Sequence, residues 1–480
     1  MELLQVKKDK IVTQSGQEVM LRGTCVGGFM NMEDFINGYP GTESGLRRLM
    51  AETIGAGKSD VFFDSLLENF LKEEDIAFVK STGANCIRIP MNYRHFERDG
   101  APFKYDEKGF ERLNKIISLC EKHELYVILD LHAAAGWQNC HWHSDNERGL
   151  ALIWEYSHFQ DRFVALWEEM ARRYSNSTTV AGYNLVNEPS TGNPSGEHGF
   201  DFYENYRSNW GAINALYKRT VEAVRKIDPK HIIFLEGDFY SRLFDGLTEP
   251  FADNLVYSSH NYIPPGYGPG AYPGHYGSEY WDKNKMRAEF LNTEGAQFAQ
   301  KYSVPLWVGE FGSQYHGSKE DIPSRIASMD DQISIYNETG VHWTTWTYKD
   351  PGIMSWVGLN PDSEYMNIIA PIQKMKKEMG AENFVALYEG QSKGKEISKV
   401  LADYILEASG NTDLNKDSNA YAMNYNVLTG YAAATLQRSY VRLFKSYSES
   451  DLERITSAFK FQNCIKNDPF IKLLRERLAD

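Results

Sequence analysis

Two glutamates stand where an acid–base reaction needs them. Glu188 follows the apolar run 180–186 and Asn187, and Glu310 follows the run 305–309. If those runs are strands of a parallel barrel, both carboxylates lie at its C-terminal mouth, the face where barrel chemistry happens. Two carboxylates there can share the cleavage of an acetal C–O bond. One protonates the leaving oxygen and the other attacks the carbon. They need different pKa values, set by different surroundings. Each glutamate alone reads equally well as a salt-bridged strand end; the pair in matching contexts weighs against that.

Further polar residues sit in similar places. Arg88 lies inside the β-rich run 84–90, where an unpaired guanidinium is costly. Its expected partner is Glu310, which it would hold ionised; a structural pair with Asp130 is the alternative. His132 ends the run 126–132, and His260 and Tyr262 end the run 255–262, positions suited to hydrogen-bonding a ligand. Tyr262 is placed to donate to the Glu310 carboxylate, and Asn187 to reach a sugar 2-hydroxyl beside Glu188. Trp346 is the candidate stacking surface for a sugar ring, with Trp343 assigned to the core. The cluster Cys140-His141-Trp142-His143 invites a metal reading. Convincing further ligands are lacking, so sugar contacts from this loop are the expectation.

The elements that must position these residues form a series. Apolar runs at 21–28, 84–90, 126–132, 180–189, 231–238, 255–262, 305–312 and 342–349 alternate with amphipathic segments such as 107–123, 159–174 and 206–227. Near-continuous apolar runs are those of parallel strands buried on both faces. Eight of them alternating with helices predict an α/β fold, a (β/α)₈ barrel, and no GxGxxG follows a strand. Residues 3–19 read as a hairpin plugging the barrel bottom. The first βα connection, 31–71, is long and carries an amphipathic helix; a second long loop, 264–279, is rich in Pro, Gly and Tyr. From about 384 the period turns helical at 395–408, 420–448, 451–461 and 469–478, with N-cap chemistry at Ser448-Glu449-Ser450-Asp451 and no obvious strand. The organisation is thus a barrel with its hairpin over 1–383 and an α-helical module over 384–480. That module either docks on the barrel or joins copies of the chain into a homo-oligomer.

Composition narrows the partners. The 480 residues carry a formal net charge of -14, which argues against nucleic acid and against an anionic membrane surface. The aromatic fraction of 13% suits a carbohydrate enzyme, though a large core uses aromatics too. Five scattered cysteines without a CxxC pair indicate neither a disulfide framework nor a zinc site. The N-terminus shows no apolar leader, so a cytoplasmic location is expected, or an extracellular one if a leader has been removed.

Taken in order, Arg88, His132, Asn187-Glu188-Pro189, His260 with Tyr262, Gly309-Glu310-Phe311 and Trp346 resemble the pattern of family 5 glycoside hydrolases. The resemblance covers about residues 10–380. It implies a retaining double displacement without metal or organic cofactor, with Glu188 as acid/base and Glu310 as nucleophile. Arg88, His132, Asn187, His260, Tyr262 and Trp346 would surround the reacting sugar. The segment 21–33 resembles the exo-β-1,3-glucanase branch, which implies that Glu33 reaches the terminal sugar and closes the cleft into a pocket. Trp137 stands where that pattern has a Pro-Gly step, and the helical tail lies outside the usual core. The expected activity is exo-cleavage of β-glucosides or short β-glucans. An endo-glucanase or mannanase and a non-catalytic sugar-binding barrel are the alternatives, and transglycosylation is open to any covalent intermediate.

Overall fold

A computed structural model describes residues 1–192, 205–315, 321–382, 392–411 and 414–479. Its centre is a closed eight-stranded parallel barrel. The strands, here numbered one to eight, are Arg22–Cys25, Cys86–Asn92, Tyr126–Ala133, Val180–Asn184, Ile232–Glu236, Leu255–His260, Leu306–Phe311 and His342–Thr345. Each pairs in parallel with its neighbour in sequence, and strand eight closes on strand one through Trp343↔Arg22. All eight expected runs contain a strand. Strand four stops at Asn184, so Asn187 and Glu188 stand just beyond it.

Interior packing explains the closure. Cys86, Tyr126, Ile128, Ala181, Ile232, Phe234, Val256 and Trp307 fill the lower barrel, and Leu4 and Ile11 of the N-terminal hairpin close it from below. The hairpin pairs Leu4–Lys7 with Lys10–Thr13 antiparallel and is the expected plug. Gly23 and Gly182 are required by close approach, since a Cβ at either would lie within 2.2 Å of a carbonyl oxygen on the neighbouring strand. The amphipathic segments form helices Glu107–Lys122, Ser157–Tyr174 and Trp210–Arg225, each turning its apolar stripe inward.

The long first connection folds into helices Asp34–Asn37, Glu43–Ile54 and Ala56–Phe70. The C-terminal helices are built onto it. Glu449–Thr456 packs along Ala56–Phe70, and Ala433–Arg442 along Glu43–Ile54. Phe444 meets Phe62 at 5.1 Å and Phe459 stacks on Phe70 at 5.7 Å. The Ser448 capping box starts its helix as expected. The long helix expected over 420–448 is divided into Lys416–Met423, a π-helical stretch Asn424–Ala432, and Ala433–Arg442. The tail also contains one strand, contrary to expectation. Cys464–Lys466 adds antiparallel to Val357–Leu359. Three residues are too short for a period of two to register, and the pairing partner lies a hundred residues upstream. The expected boundary at 383 falls outside the described residues. No helix among those described is long and apolar enough to cross a membrane.

Candidate active site

Strand ends two to seven deliver their polar residues to one point above the barrel. Arg88, fully buried, is the hub. Its Nη1 donates to Glu310 Oε1 at 2.5 Å. Nη2 donates to Asn187 Oδ1 at 2.7 Å and to Asn184 Oδ1 at 3.0 Å, and lies 3.2 Å from both Asp130 and Glu236. Arg88 therefore meets both partners considered from sequence. A planar guanidinium with five donors is the side chain suited to so many acceptors at once.

Glu310 receives a second hydrogen bond, from the Tyr262 hydroxyl to Oε2 at 2.9 Å. Glu188 is held differently. Its backbone lies in the left-handed region, φ 46°, and its N–H donates to Glu236 Oε2 at 2.8 Å. His260 Nδ1 lies 2.6 Å from Glu188 Oε1, and His143 Nδ1 lies 3.2 Å from Oε2. One oxygen of Glu188 and one of Glu310 lie within 4.8 Å of each other.

The remaining expected residues line one side. His132 donates or accepts at Asp130 Oδ2, 2.8 Å away, and its Nε2 lies 3.3 Å from Asn187 Nδ2 and 3.3 Å from Glu33 Oε1. Trp346 stacks on the His132 ring at 5.3 Å, with 5° between the planes. Trp343 is core, its indole N–H bonded to Asn337 Oδ1 at 3.0 Å. Every residue singled out for the site from sequence is thus in the cluster.

Charge decides the protonation of this crowd. Five carboxyls (Glu33, Asp130, Glu188, Glu236, Glu310) face the cations Arg88 and His260. Burial, reinforced by Glu310, Asp34 and Glu188, pushes the Glu33 carboxyl well above the usual range. Burial also pushes Asp130 up to about 8, against the pull of Arg88. Glu236 goes the other way: burial raises it, but His260, Arg88 and the Ser241 hydroxyl outweigh that and bring it to about 2. Burial opposes the charge on His260, yet the surrounding carboxylates Glu310, Glu236 and Glu188 hold it well above the ordinary imidazole value. Glu188 falls below its ordinary value, because the hydrogen bond and charge of His260 overcome burial. His132 and His143 are buried without that much compensation and are pushed down to about 3, so both are neutral.

Glu236 and the Arg88 acceptor Asn184 are not singled out from sequence. Glu236 ends strand five, and Glu310 is the last residue but one of strand seven, so the same rule of a carboxylate after an apolar run finds Glu236 too. His143 belongs to the loop cluster from which sugar contacts are the sequence expectation, and it is the member that reaches Glu188. Glu188, His260 and Glu310 bring three donor atoms together in the manner of a metal site. Positive charge is already supplied there by Arg88 and by a protonated His260, so the set fits an acid–base pair better than a cation. The Pro- and Tyr-rich loop is an ordered rim. It holds the hairpin Gly274–Tyr276 with Glu279–Trp281, and Tyr272 donates to Asp331 at 2.8 Å.

Comparison with known proteins agrees with this geometry. Residues 58–352 match the model of the family described as "Cellulase (glycosyl hydrolase family 5)". A protein named "Beta-xylosidase" from Phanerodontia chrysosporium is 35% identical over 100% of this chain and 99% of its own length. A "Probable glucan 1,3-beta-glucosidase A" from Emericella nidulans is 24% identical over 70% of this chain and 87% of that protein. A crystal structure of an endogalactoceramidase shares the fold at a TM-score of 0.50 and 16% identity, covering 73% of this chain and 75% of that one. On the family match over most of the barrel and the relative matched along the full chain, this protein belongs to glycosyl hydrolase family 5 and is a glycoside hydrolase.

Proposed function

We propose that the chain is a retaining, exo-acting β-glycosidase that removes single sugars from short β-linked saccharides. The observation that carries this is the approach of Glu188 and Glu310 oxygens to within 4.8 Å. Retention needs carboxyls about 5–5.5 Å apart, whereas inversion needs about 6.5–9.5 Å to admit a water. Glu310 attacks the anomeric carbon as the glycosidic C–O bond breaks, and Glu188 gives its proton to the leaving oxygen. Water then displaces Glu310 from that carbon, giving its proton to Glu188. Arg88 and Tyr262 hold one oxygen each of Glu310 and aim the carboxyl group. His260 shares a proton with Oε1 of Glu188 across a 2.6 Å bond, which leaves Oε2 to deliver the acid proton to the leaving oxygen.

Glu33 supports exo action. It lies 2% exposed beside His132, where it would close the sugar site and hydrogen-bond a terminal hydroxyl, with Trp346, Asn187 and His132 around the same ring. Of the two sugars, β-xylose takes precedence over the β-glucose expected from sequence, because the relative matched along the whole chain is named a β-xylosidase. The glucan 1,3-beta-glucosidase keeps glucosides as the second arm. The test is hydrolysis of nitrophenyl β-D-xyloside, glucoside and mannoside, then of β-linked di- and trisaccharides, with the first-formed anomer followed by NMR. Release of single sugars with retained configuration is expected. An inverted first product, or mixed oligosaccharides from a trisaccharide and longer chains, would sink the proposal.

The helix Lys393–Ser409 exposes Ile397, Leu401, Tyr404 and Ile405, which supports contact between copies through this module; light scattering reads the mass directly. The free thiols of Cys25, Cys86, Cys120 and Cys464 support a reducing location, which fractionation of the source cells would test.

A further inference from the structure

The segment 137–146 grips Glu188 from behind. Asn139 Nδ2 donates to the Glu188 carbonyl at 2.8 Å, and Gln138 Nε2 to the Asn187 carbonyl at 3.0 Å. The segment is closed on itself by Trp137 Nε1 donating to the Asp145 carbonyl at 2.9 Å and Asn146 Nδ2 to the Asn139 carbonyl at 2.7 Å. Asn31 Nδ2 anchors the His143 carbonyl at 3.1 Å. Trp137, the departure from the family pattern noted in the sequence, thus shapes the loop that carries His143. The hydrogen bonds that fix the acid/base also fix this histidine.

The two oxygens of Glu188 are not equivalent. Oε1 is engaged by His260 at 2.6 Å, so Oε2 is the one left to meet a leaving oxygen, and His143 Nδ1 stands 3.2 Å from it. A neutral imidazole carries one N–H and one bare nitrogen. Facing a carboxylate oxygen, His143 puts its proton on Nδ1. Its Nε2 is then an acceptor, and that atom is buried without a hydrogen-bond partner. Its surroundings are the rings of His132, His141 and Tyr240, 5.7–6.2 Å away between centroids. A group that brings a donor to this point completes the site, and a leaving sugar arriving at Oε2 carries hydroxyls.

We propose that His143 determines the preference for a sugar as leaving group: Nδ1–H orients Oε2 of Glu188, and Nε2 accepts a hydrogen bond from a hydroxyl of the departing saccharide. This rests on Glu188 being the acid/base. The experiment compares a β-linked disaccharide with the nitrophenyl glycoside of the same sugar, using the full chain and its His143→Ala and His143→Gln variants. Loss of a hydrogen bond to a buried acceptor is expected to lower kcat/KM on the disaccharide about 10- to 100-fold more than on the nitrophenyl glycoside. Gln, which offers a donor and an acceptor, recovers part of the difference. Should neither variant fold, disaccharides deoxygenated at single positions of the leaving sugar decide the matter in the parent protein: one position must cost a similar factor. Equal losses on both substrates, or no sensitive hydroxyl, overturn the role of His143. A Glu188→Ala variant that hydrolyses the disaccharide as fast as the parent would instead overturn the acid/base assignment beneath it.

Discussion

Two buried clusters in this protein are built from the same ingredients. At the barrel mouth Arg88 meets Asp130, Glu236 and Glu310; at the outer edge Lys349 meets Asp75, 2.7 Å away, with both side chains fully buried. The Lys349 cluster is closed. Its ammonium donates to Asp75 and to the carbonyls of Phe70 and Phe459, which uses all three of its hydrogens. Asp75 also accepts from Tyr348 and from the Lys72 N–H. The Arg88 cluster is open. Asp130 Oδ1 and His143 Nε2 are buried there without a hydrogen-bond partner. Buried charge therefore does not by itself mark a site. What separates the two is unmatched hydrogen-bonding capacity converging on one point, which a folded chain retains only where a ligand completes it. A buried unmatched atom also occurs away from the site, at His342 Nε2 at the start of strand eight.

The sharpest way to break this comparison is at the reacting carboxylate. Glu310→Gln should lower kcat on an aryl glycoside by roughly 1,000-fold or more while leaving the unfolding midpoint near that of the parent. Near-normal turnover would remove the open cluster from the chemistry. The mirror test is Lys349→Met, which leaves Asp75 buried and unpaired. Denaturant unfolding should show about 3–5 kcal/mol of lost stability, with kcat per folded molecule unchanged. A selective loss of kcat would erase the distinction between the clusters.

Smaller effects sharpen it. Glu236→Gln keeps an acceptor for the Glu188 N–H but removes a negative charge from beside Arg88 and His260. We expect kcat/KM to fall about tenfold. The proton shared by Glu188 and His260 should be held less tightly, so the basic limb of the pH–rate profile moves to lower pH; an upward shift would contradict the charge assignment. Stability offers a pH test away from the site. Burial pushes the His342 imidazole down to about 4 from an ordinary 6.5. The unfolded chain binds this proton first, so its contribution is present above 6.5 and is lost as pH falls toward 4. His342→Asn should flatten that part of the stability curve. The smallest effect is expected at Glu33. Burial and its acidic neighbours keep it protonated, so the isosteric Glu33→Gln should stay within about threefold of the parent, whereas Glu33→Ala loses affinity for the terminal sugar, read as a raised KM.

Much of the fold was legible because its signal is local. An apolar run ended by Glu or His reports both a buried parallel strand and a polar residue at its mouth, and that rule locates strands three, four, six and seven with His132, Glu188, His260 and Glu310; Arg88 stands out by the cost of a guanidinium inside strand two. It applies equally to Glu236, at the end of a run already recognised. The strand Cys464–Lys466 was illegible for the opposite reason: three residues have no measurable period, and the pairing edge is distant in sequence. His143 lay in a loop whose pattern mimicked a metal site.

The sequence alone determined the alternation of strands and helices, the barrel, and the placing of two glutamates at its mouth, since hydrophobic period and strand polarity are properties of neighbouring residues. Only the tertiary structure decided which groups share protons. His260 finds Glu188 across 72 residues, and Arg88 meets Asp130, Glu236 and Glu310 at once rather than one partner. Burial and charge at those meetings, which no local pattern encodes, make Glu33 neutral, His260 charged and His143 a free acceptor beside the acid.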